Sequence, residues 1–203
     1  MFYEPKDGHG LPRDPFKAIV APRPIAWVSS LSTEGVANLA PYSFFNAVAD
    51  NPPMLMISSS PVSSNADKDT LTNILNTGEF VVHIVPHAMR DAMNATSGDY
   101  PPNDDEFKRA GLDKAPSSIV SPPRIADAPI AMECRHHVNL GFPGVDGVRG
   151  SHVIFGEVVG IHIADEALVD GMLDVTQYQP LARLGYMDYA TVTETFSLDR
   201  PKV

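Results

Sequence analysis

The hydrophobic positions of this chain fall in short blocks cut by proline, glycine and serine, the pattern of a strand-rich protein. The block that organises the others is 22–45, PRPIAWVSSLSTEGVANLAPYSFF. Residues 25–31 are apolar and β-compatible, Ser32-Thr33-Glu34-Gly35 is a polar turn with glycine where a positive φ is required, and 36–42 run back. Pro41 has no N–H for a ladder, which puts it at a strand edge or exit. Upstream, residues 1–15 are polar and rich in Gly and Pro and read as an irregular arm, and 16–20 read as a first strand. Downstream, the turn Asn51-Pro52-Pro53 leads into 54–58, an apolar run suited to a strand buried on both faces.

Helical spacing is sparse. In 68–78 an apolar stripe of Leu71, Ile74 and Leu75 follows a cap at Asp69 and stops at Gly78. Residues 79–85 return as a strand, 86–96 are helix-compatible, and 97–118 are Pro- and Asp-rich with a short helix at 106–110. That makes 86–118 an excursion from the domain, the kind of segment that carries lids or contacts. Strands resume at 130–140 and 151–164, joined by the Gly-rich turn GFPGVDGVRG, with Gly156 and Gly160 as bulge or close-approach points. A short helix is expected at 165–171, an irregular stretch at 172–185 and a last strand at 187–192. The sum is one mainly β domain over 16–203, closed into a small Greek-key-like barrel that removes free edges.

Composition narrows the function classes. A net charge of −10 disfavours nonspecific nucleic-acid binding and anchoring on an anionic membrane, both of which need clustered Lys and Arg. The single Cys134 leaves no intrachain disulfide and no multi-cysteine metal site. The N-terminus is too polar for a signal peptide, and no apolar run is long enough to span a bilayer. The expectation is a cytoplasmic protein.

Two stretches carry candidate chemistry. Ser58, Ser59 and Ser60 leave a strand just before a helix opened by Lys68, Asp69 and Thr70. Free helix N–H groups, an ammonium and hydroxyls suit an anion such as a phosphate; an ordinary capped helix after a serine-rich loop has the same sequence. Trp27, Ser43, Phe44, Phe45 and Asn46 lie on or just after the hairpin and suit a planar polar heterocycle. Adjacent strand residues face opposite ways, so one of Phe44 and Phe45 belongs to the core, and Phe44 is the one expected at the ring. The pair His136-His137 diverges on a strand and lacks further ligands, so no metal is expected. Arg183 could bind an anionic substrate or lock the C-terminal segment. The Gly-rich turn lacks the strand–helix context of a dinucleotide fingerprint, and no serine lies in a nucleophile elbow.

PRPIAWVSS…G…NLAPYSFFNAVADNPP resembles the signature of the flavin reductase-like, FMN-binding split-barrel family. The serine run with Lys68-Asp69-Thr70, Asp105-Glu106-Phe107, Phe155-Gly156-Glu157-Val158 and Arg183-Leu184-Gly185-Tyr186 follow in family order. The resemblance implies a split β-barrel and a homodimer with the cofactor near the subunit interface. It implies FMN held at its phosphate by the Ser58–Ser60 and Lys68–Thr70 segments and along its ring by Trp27, Ser43, Phe44 and Asn46, with His152 touching flavin or nicotinamide. Arg183 and Tyr186 are placed at the substrate or the interface. The activity implied is hydride transfer from NAD(P)H to flavin N5, and then onward to a flavin, ferric or other acceptor. The alternative is an FMN-binding electron-transfer or sensing module with no nicotinamide site.

Overall fold

In the computed structural model, residues 1–101 and 104–201 are described; the parts of the expected excursion at 102–103 and of the expected domain at 202–203 lie outside the described residues. After the N-terminal arm the chain forms α1 (Phe16–Ile19), β1 (Arg23–Pro24), β2 (Ala26–Leu31), β3 (Ala37–Tyr42), β4 (Phe45–Asp50) and β5 (Pro53–Ser59). It continues through α2 (Asp69–Thr77), β6 (Glu79–Ile84), α3 (Arg90–Ala95), α4 (Glu106–Ala110), β7 (Lys114–Ala115) and β8 (Arg124–Ile125). The two long strands β9 (Ile130–Gly141) and β10 (His152–Ile163) follow. Then come β11 (Leu168–Val169), β12 (Met172–Leu173), α5 (Val175–Tyr178), β13 (Leu181–Arg183) and β14 (Tyr189–Thr191).

Seven strands form one antiparallel sheet in the order β3-β2-β6-β9-β10-β5-β4. β3 and β4 are its opposite edges, yet only Ser43 and Phe44 separate them in sequence. Three Cα steps reach at most about 11 Å, so the two edges must meet at that corner and the sheet curls on itself. The Ser58 N–H donates to the Phe44 carbonyl (2.8 Å) and seals the corner. The result is a mainly β split barrel with short helices, and its seam runs past Ser43 and Phe44. β10 returns to pair with both β9 and β5, which gives the Greek-key order.

Two apolar layers flank the sheet. Ala26, Val28, Phe45, Leu55, Ile57, Phe80, Val82 and Ile154 fill the barrel, with Leu71 and Ile74 of α2 against them. On the other side of β2, Ile25, Trp27, Leu39, Val85, Met93 of α3, Phe107 of α4, Ile125 and Leu181 form a second core. The excursion is therefore a covering layer over the outer face of β2, whose inner face the barrel core buries. Gly156 lies where a Cβ would come within 2.4 Å of the Phe80 ring, and the β9–β10 register shifts at Gly156 and again before Gly160. Both are the close-approach points that the sequence indicates.

Several local expectations change. Residues 16–19 are helical because the Asp14 carboxylate accepts the Phe16 N–H (2.9 Å), and the Arg23 guanidinium caps the Lys17 and Val20 carbonyls. β5 alternates, with Leu55, Ile57 and Ser59 inward and buried and Met54, Met56 and Ser58 on an outer face that is only part-buried. Lys68, not Asp69, is the N-cap of α2; Asp69 sits in the first turn, where its charge still favours the helix dipole. Leu75 is exposed, so the buried stripe narrows to Leu71 and Ile74. The expected helix at 165–171 is one 3-10 turn before the β11–β12 hairpin, and the stretch expected as irregular holds β12, α5 and β13.

Candidate functional site

A cleft of about 1060 Å³ opens at the barrel seam. Its floor is the β3–β4 corner: Pro41, Tyr42, Ser43 and Phe44. One wall is the end of β5, with Ser58 and Ser60, and the Lys68 cap of α2. The opposite wall is α3 and its surroundings, with Arg90, Met93, Asn94 and Ser97. α1 and the C-terminal segment close the far end with Lys17, Arg23, Arg183, Leu184, Tyr186, Met187 and Tyr189.

Strand alternation decides which serines face this space. Ser59 points inward and is buried; Ser58 and Ser60 point out to the cleft. The same rule separates the aromatic pair: Phe45 joins the barrel core and Phe44 faces the cleft.

Two structural features build the far end. The Arg23 side chain is buried and donates to the carbonyls of Lys17, Val20 and Leu184, tying α1 to the C-terminal segment. Gly185 lets that segment close on α1, since a Cβ there would lie 2.3 Å from the Ala18 Cβ. Arg183 donates to the Tyr186 carbonyl and stacks over Tyr189 at 4.4 Å, so it locks the C-terminal segment while its flank lines the cleft.

The electrostatics are opposite to those of the whole molecule. Five cationic side chains, Lys17, Arg23, Lys68, Arg90 and Arg183, face two carboxylates, Asp14 and Asp91, on a chain of net charge −10. Lys17 and Lys68 make no ion pair among the described residues; they sit over aromatic rings, Lys17 at 6.0 Å from Phe44 and Lys68 at 5.6 Å from Tyr42. Burial, and then the charge of Arg183, pull Arg23 below its usual pKa, and a guanidinium remains charged nonetheless. Burial pushes the Tyr42 phenol up to about 12, so it is neutral. Its buried hydroxyl has the Thr70 and Ser59 hydroxyls as neighbours, Ser59 on the barrel side.

A side cavity of about 380 Å³ shares Pro41, Tyr42, Lys68 and Ser97 with the cleft and continues past the N-terminus of α2. Behind it lies a closed polar network. Thr70 Oγ1 donates to Asn38 Oδ1 (2.6 Å), Asn38 Nδ2 donates to Glu106 Oε1 (2.8 Å), and the Leu39 N–H donates to Glu106 Oε2 (2.9 Å). Burial raises the Glu106 carboxyl above its ordinary value, against those hydrogen bonds.

Of the residues expected at the site, the structure brings together Ser43, Phe44, Ser58, Ser60, Lys68, Arg183 and Tyr186. It places five elsewhere. Trp27 is fully buried in the second core, its indole N–H donating to Thr96 Oγ1 at 2.8 Å. Thr70 is committed to Asn38, and Ser59 faces the barrel. Asn46 is exposed on the edge strand β4, its amide oxygen accepting the Ala47 N–H. His152 packs its ring against Gly141 away from the cleft. Lys17, Arg23 and Arg90 line the cleft without a local signal in the sequence: Lys17 lies on α1, which reads as a strand, and the three meet only through tertiary folding.

The sequence model of the flavin reductase like domain family matches residues 20–182. The structure is similar to that of nitrilotriacetate monooxygenase component B from Bacillus cereus, with 34% identity, 98% of each chain covered and a TM-score of 0.88. It is also similar to 2-nitrobenzoate 2-nitroreductase of Pseudomonas fluorescens, with 34% identity over 92% of this chain and 88% of that one and a TM-score of 0.78. The flavoredoxin of Desulfovibrio vulgaris shares the fold at 19% identity, covering 88% and 91% of the two chains with a TM-score of 0.76.

Proposed function

This chain belongs to the flavin reductase like domain family, and from that premise we propose that it is an FMN-dependent oxidoreductase that takes hydride from NAD(P)H and passes electrons to a second acceptor. The observation that carries this reading is the seam cleft, a cationic, aromatic-floored space on an acidic protein. Its donor set suits FMN: the Lys68 ammonium with the Ser58 and Ser60 hydroxyls for the phosphate, and Ser43, Phe44 and the corner backbone for the ring.

Bound FMN would supply the hydride acceptor and the one- or two-electron outlet. The chain's own part is to bind and orient. Phe44 presents a flat apolar surface, with Lys17 and Arg23 on it at 6.0 and 5.7 Å, so positive charge stands close to the planar-ligand wall. Fixed positive charge of this kind favours the more negative, reduced form of a ring beside it. The cleft, at about 1060 Å³, stands at the upper end of small-ligand pockets, and that size favours a nicotinamide donor beside the flavin over a sealed electron carrier. A homodimer and a cytoplasmic location belong to the same reading. The outward-facing Val138 and Leu140 are about half exposed on β9 and supply an apolar surface for a second copy. Among the described residues no helix is long and apolar enough to cross a membrane.

The test is direct. Purified protein titrated with FMN should show a shifted flavin absorption band and quenched emission. Mixed anaerobically with NADH or NADPH, it should bleach that band. A bound flavin that neither nucleotide reduces rejects the reductase reading and leaves the electron-carrier one.

A further inference from the structure

The segment Asp67-Lys68-Asp69 poses an electrostatic problem for any anion site, because two carboxylates flank its one ammonium. Of the three only Lys68 lines the cleft; all three line the side cavity, and Asp69 also the surface beyond it. Asp67 is held from outside: Arg149 Nη2, on the β9–β10 connection, donates to its Oδ2 at 2.8 Å. The same connection grips the loop at Asn65. Asn65 Nδ2 donates to the Gly147 carbonyl (3.0 Å), and the Arg149 N–H donates to Asn65 Oδ1 (2.7 Å). Asn65 itself, at φ 64°, closes the turn in which the Val62 N–H donates to the Ala66 carbonyl. At the base, the Ser60 and Ser151 hydroxyls meet at 2.9 Å. The hairpin that makes these contacts has a fixed shape, since a Cβ on Gly144 would lie 1.8 Å from the Val148 carbonyl oxygen and one on Gly150 1.8 Å from that of Phe142.

We propose that the β9–β10 hairpin clamps the 60–67 loop and that Arg149 is a positioning residue for the cofactor phosphate, acting through Asp67 and Lys68. This rests on the reading of the cleft as an FMN site. An exposed ion pair such as Arg149–Asp67 adds little to stability. Its effect here is on the neighbour. A released Asp67 carboxylate is free to pair with the Lys68 ammonium, which then has less charge to offer a phosphate dianion. With Arg149 in place, Asp67 is neutralised and turned to the hairpin, and Lys68 is left with its charge unspent.

The experiment compares FMN with riboflavin, which has the same ring and no phosphate, by fluorescence titration of the full chain, R149A, R149K, K68A and R149A/K68A. R149A should raise the FMN dissociation constant about tenfold and leave riboflavin within about twofold. R149K, which keeps the charge on Asp67, should restore most of the loss. In the K68A background, R149A should add almost nothing, because the residue it positions is gone. Equal losses for FMN and riboflavin, or full additivity with K68A, overturn the clamp. A wild-type protein that binds FMN and riboflavin equally well removes the phosphate site itself and the clamp with it, whereas wild-type discrimination with an unaffected R149A overturns the clamp alone.

Discussion

The barrel carries two polar centres of opposite kind, one saturated and one not. The first is Glu133, on β9 and fully buried. Its carboxylate accepts the N–H groups of Ser118 (2.7 Å), Ile119 (2.6 Å) and Val120 (3.0 Å) and pairs with His162 Nε2. Burial alone would raise its pKa; these donors overcome that and bring it down to about 2. The second is the seam cleft, where Lys17 and Lys68 make no ion pair among the described residues. Both bring charged side chains together within the fold. What separates them is satisfaction. A group whose hydrogen-bonding capacity is filled by its own chain holds the fold, and a group left unfilled is available to a ligand.

The largest test of that distinction is Glu133→Ala. It strands three backbone donors and unpairs His162, and should lower unfolding stability by about 4 kcal/mol in urea titrations. Folded protein that remains should bind FMN as before, since no cleft residue is touched. Glu133→Gln, which keeps the volume, should lose less. A large loss of FMN affinity with little loss of stability would mean that the two centres are not separate.

His83 provides the second test. It is fully buried and saturated: Nε2 accepts the Ile125 N–H (3.0 Å), so Nδ1 carries the proton and donates to the Trp27 carbonyl (2.9 Å). Burial lowers its pKa to about 4, against about 6.5 in the unfolded chain. Between those values the unfolded state binds the extra proton. The stability that His83 contributes as a neutral ring is therefore complete above the unfolded pKa and is lost as pH falls toward the folded one. Going from about pH 7 to about pH 5 should cost about 2 kcal/mol. A flat urea midpoint over that range would show that His83 is not held neutral.

On the unsaturated side, Lys68→Ala should reverse the pattern. FMN binding should weaken by about 2 kcal/mol, the scale of a charge-assisted hydrogen bond. The urea midpoint of the cofactor-free protein should stay put, because Lys68 makes no ion pair among the described residues. An unchanged dissociation constant removes Lys68 from the phosphate site.

How much of this was legible in the chain follows from locality. The hairpin at 26–42, the stop of α2 at Gly78 and the α4 turn depend on near neighbours, and the pattern shows them. Phe44 against Phe45 and the outward pair Ser58 and Ser60 follow from strand alternation once the register is known. Trp27 misled because an indole on the central hairpin suits a ring platform and a core equally; the covering excursion, remote in sequence, decides for the core. Arg23 and Lys17 were invisible for the converse reason. Their partners are a helical turn set by one Asp14 hydrogen bond and a carbonyl at Leu184 that arrives only with the C-terminal segment. Saturation, the property that divides the two centres, is a tertiary quantity and has no local signature.

Phe44 is the finest probe of the comparison, because its neighbour supplies the control within the same two-residue step. Phe45 is one of the residues that fill the barrel, and its loss is a core loss. Phe44 contacts cations and open space, so Phe44→Ala should barely move the urea midpoint. If the ring of the cofactor lies against it, the same change should weaken FMN and riboflavin equally, by about 1 kcal/mol, the scale of one aromatic contact. Equality is the informative part. Lys68 acts on the phosphate and should discriminate between the two ligands, whereas Phe44 acts on the ring and should not. A Phe44→Ala variant that discriminates as strongly as Lys68→Ala would place Phe44 at the phosphate end and turn the cofactor around in the cleft.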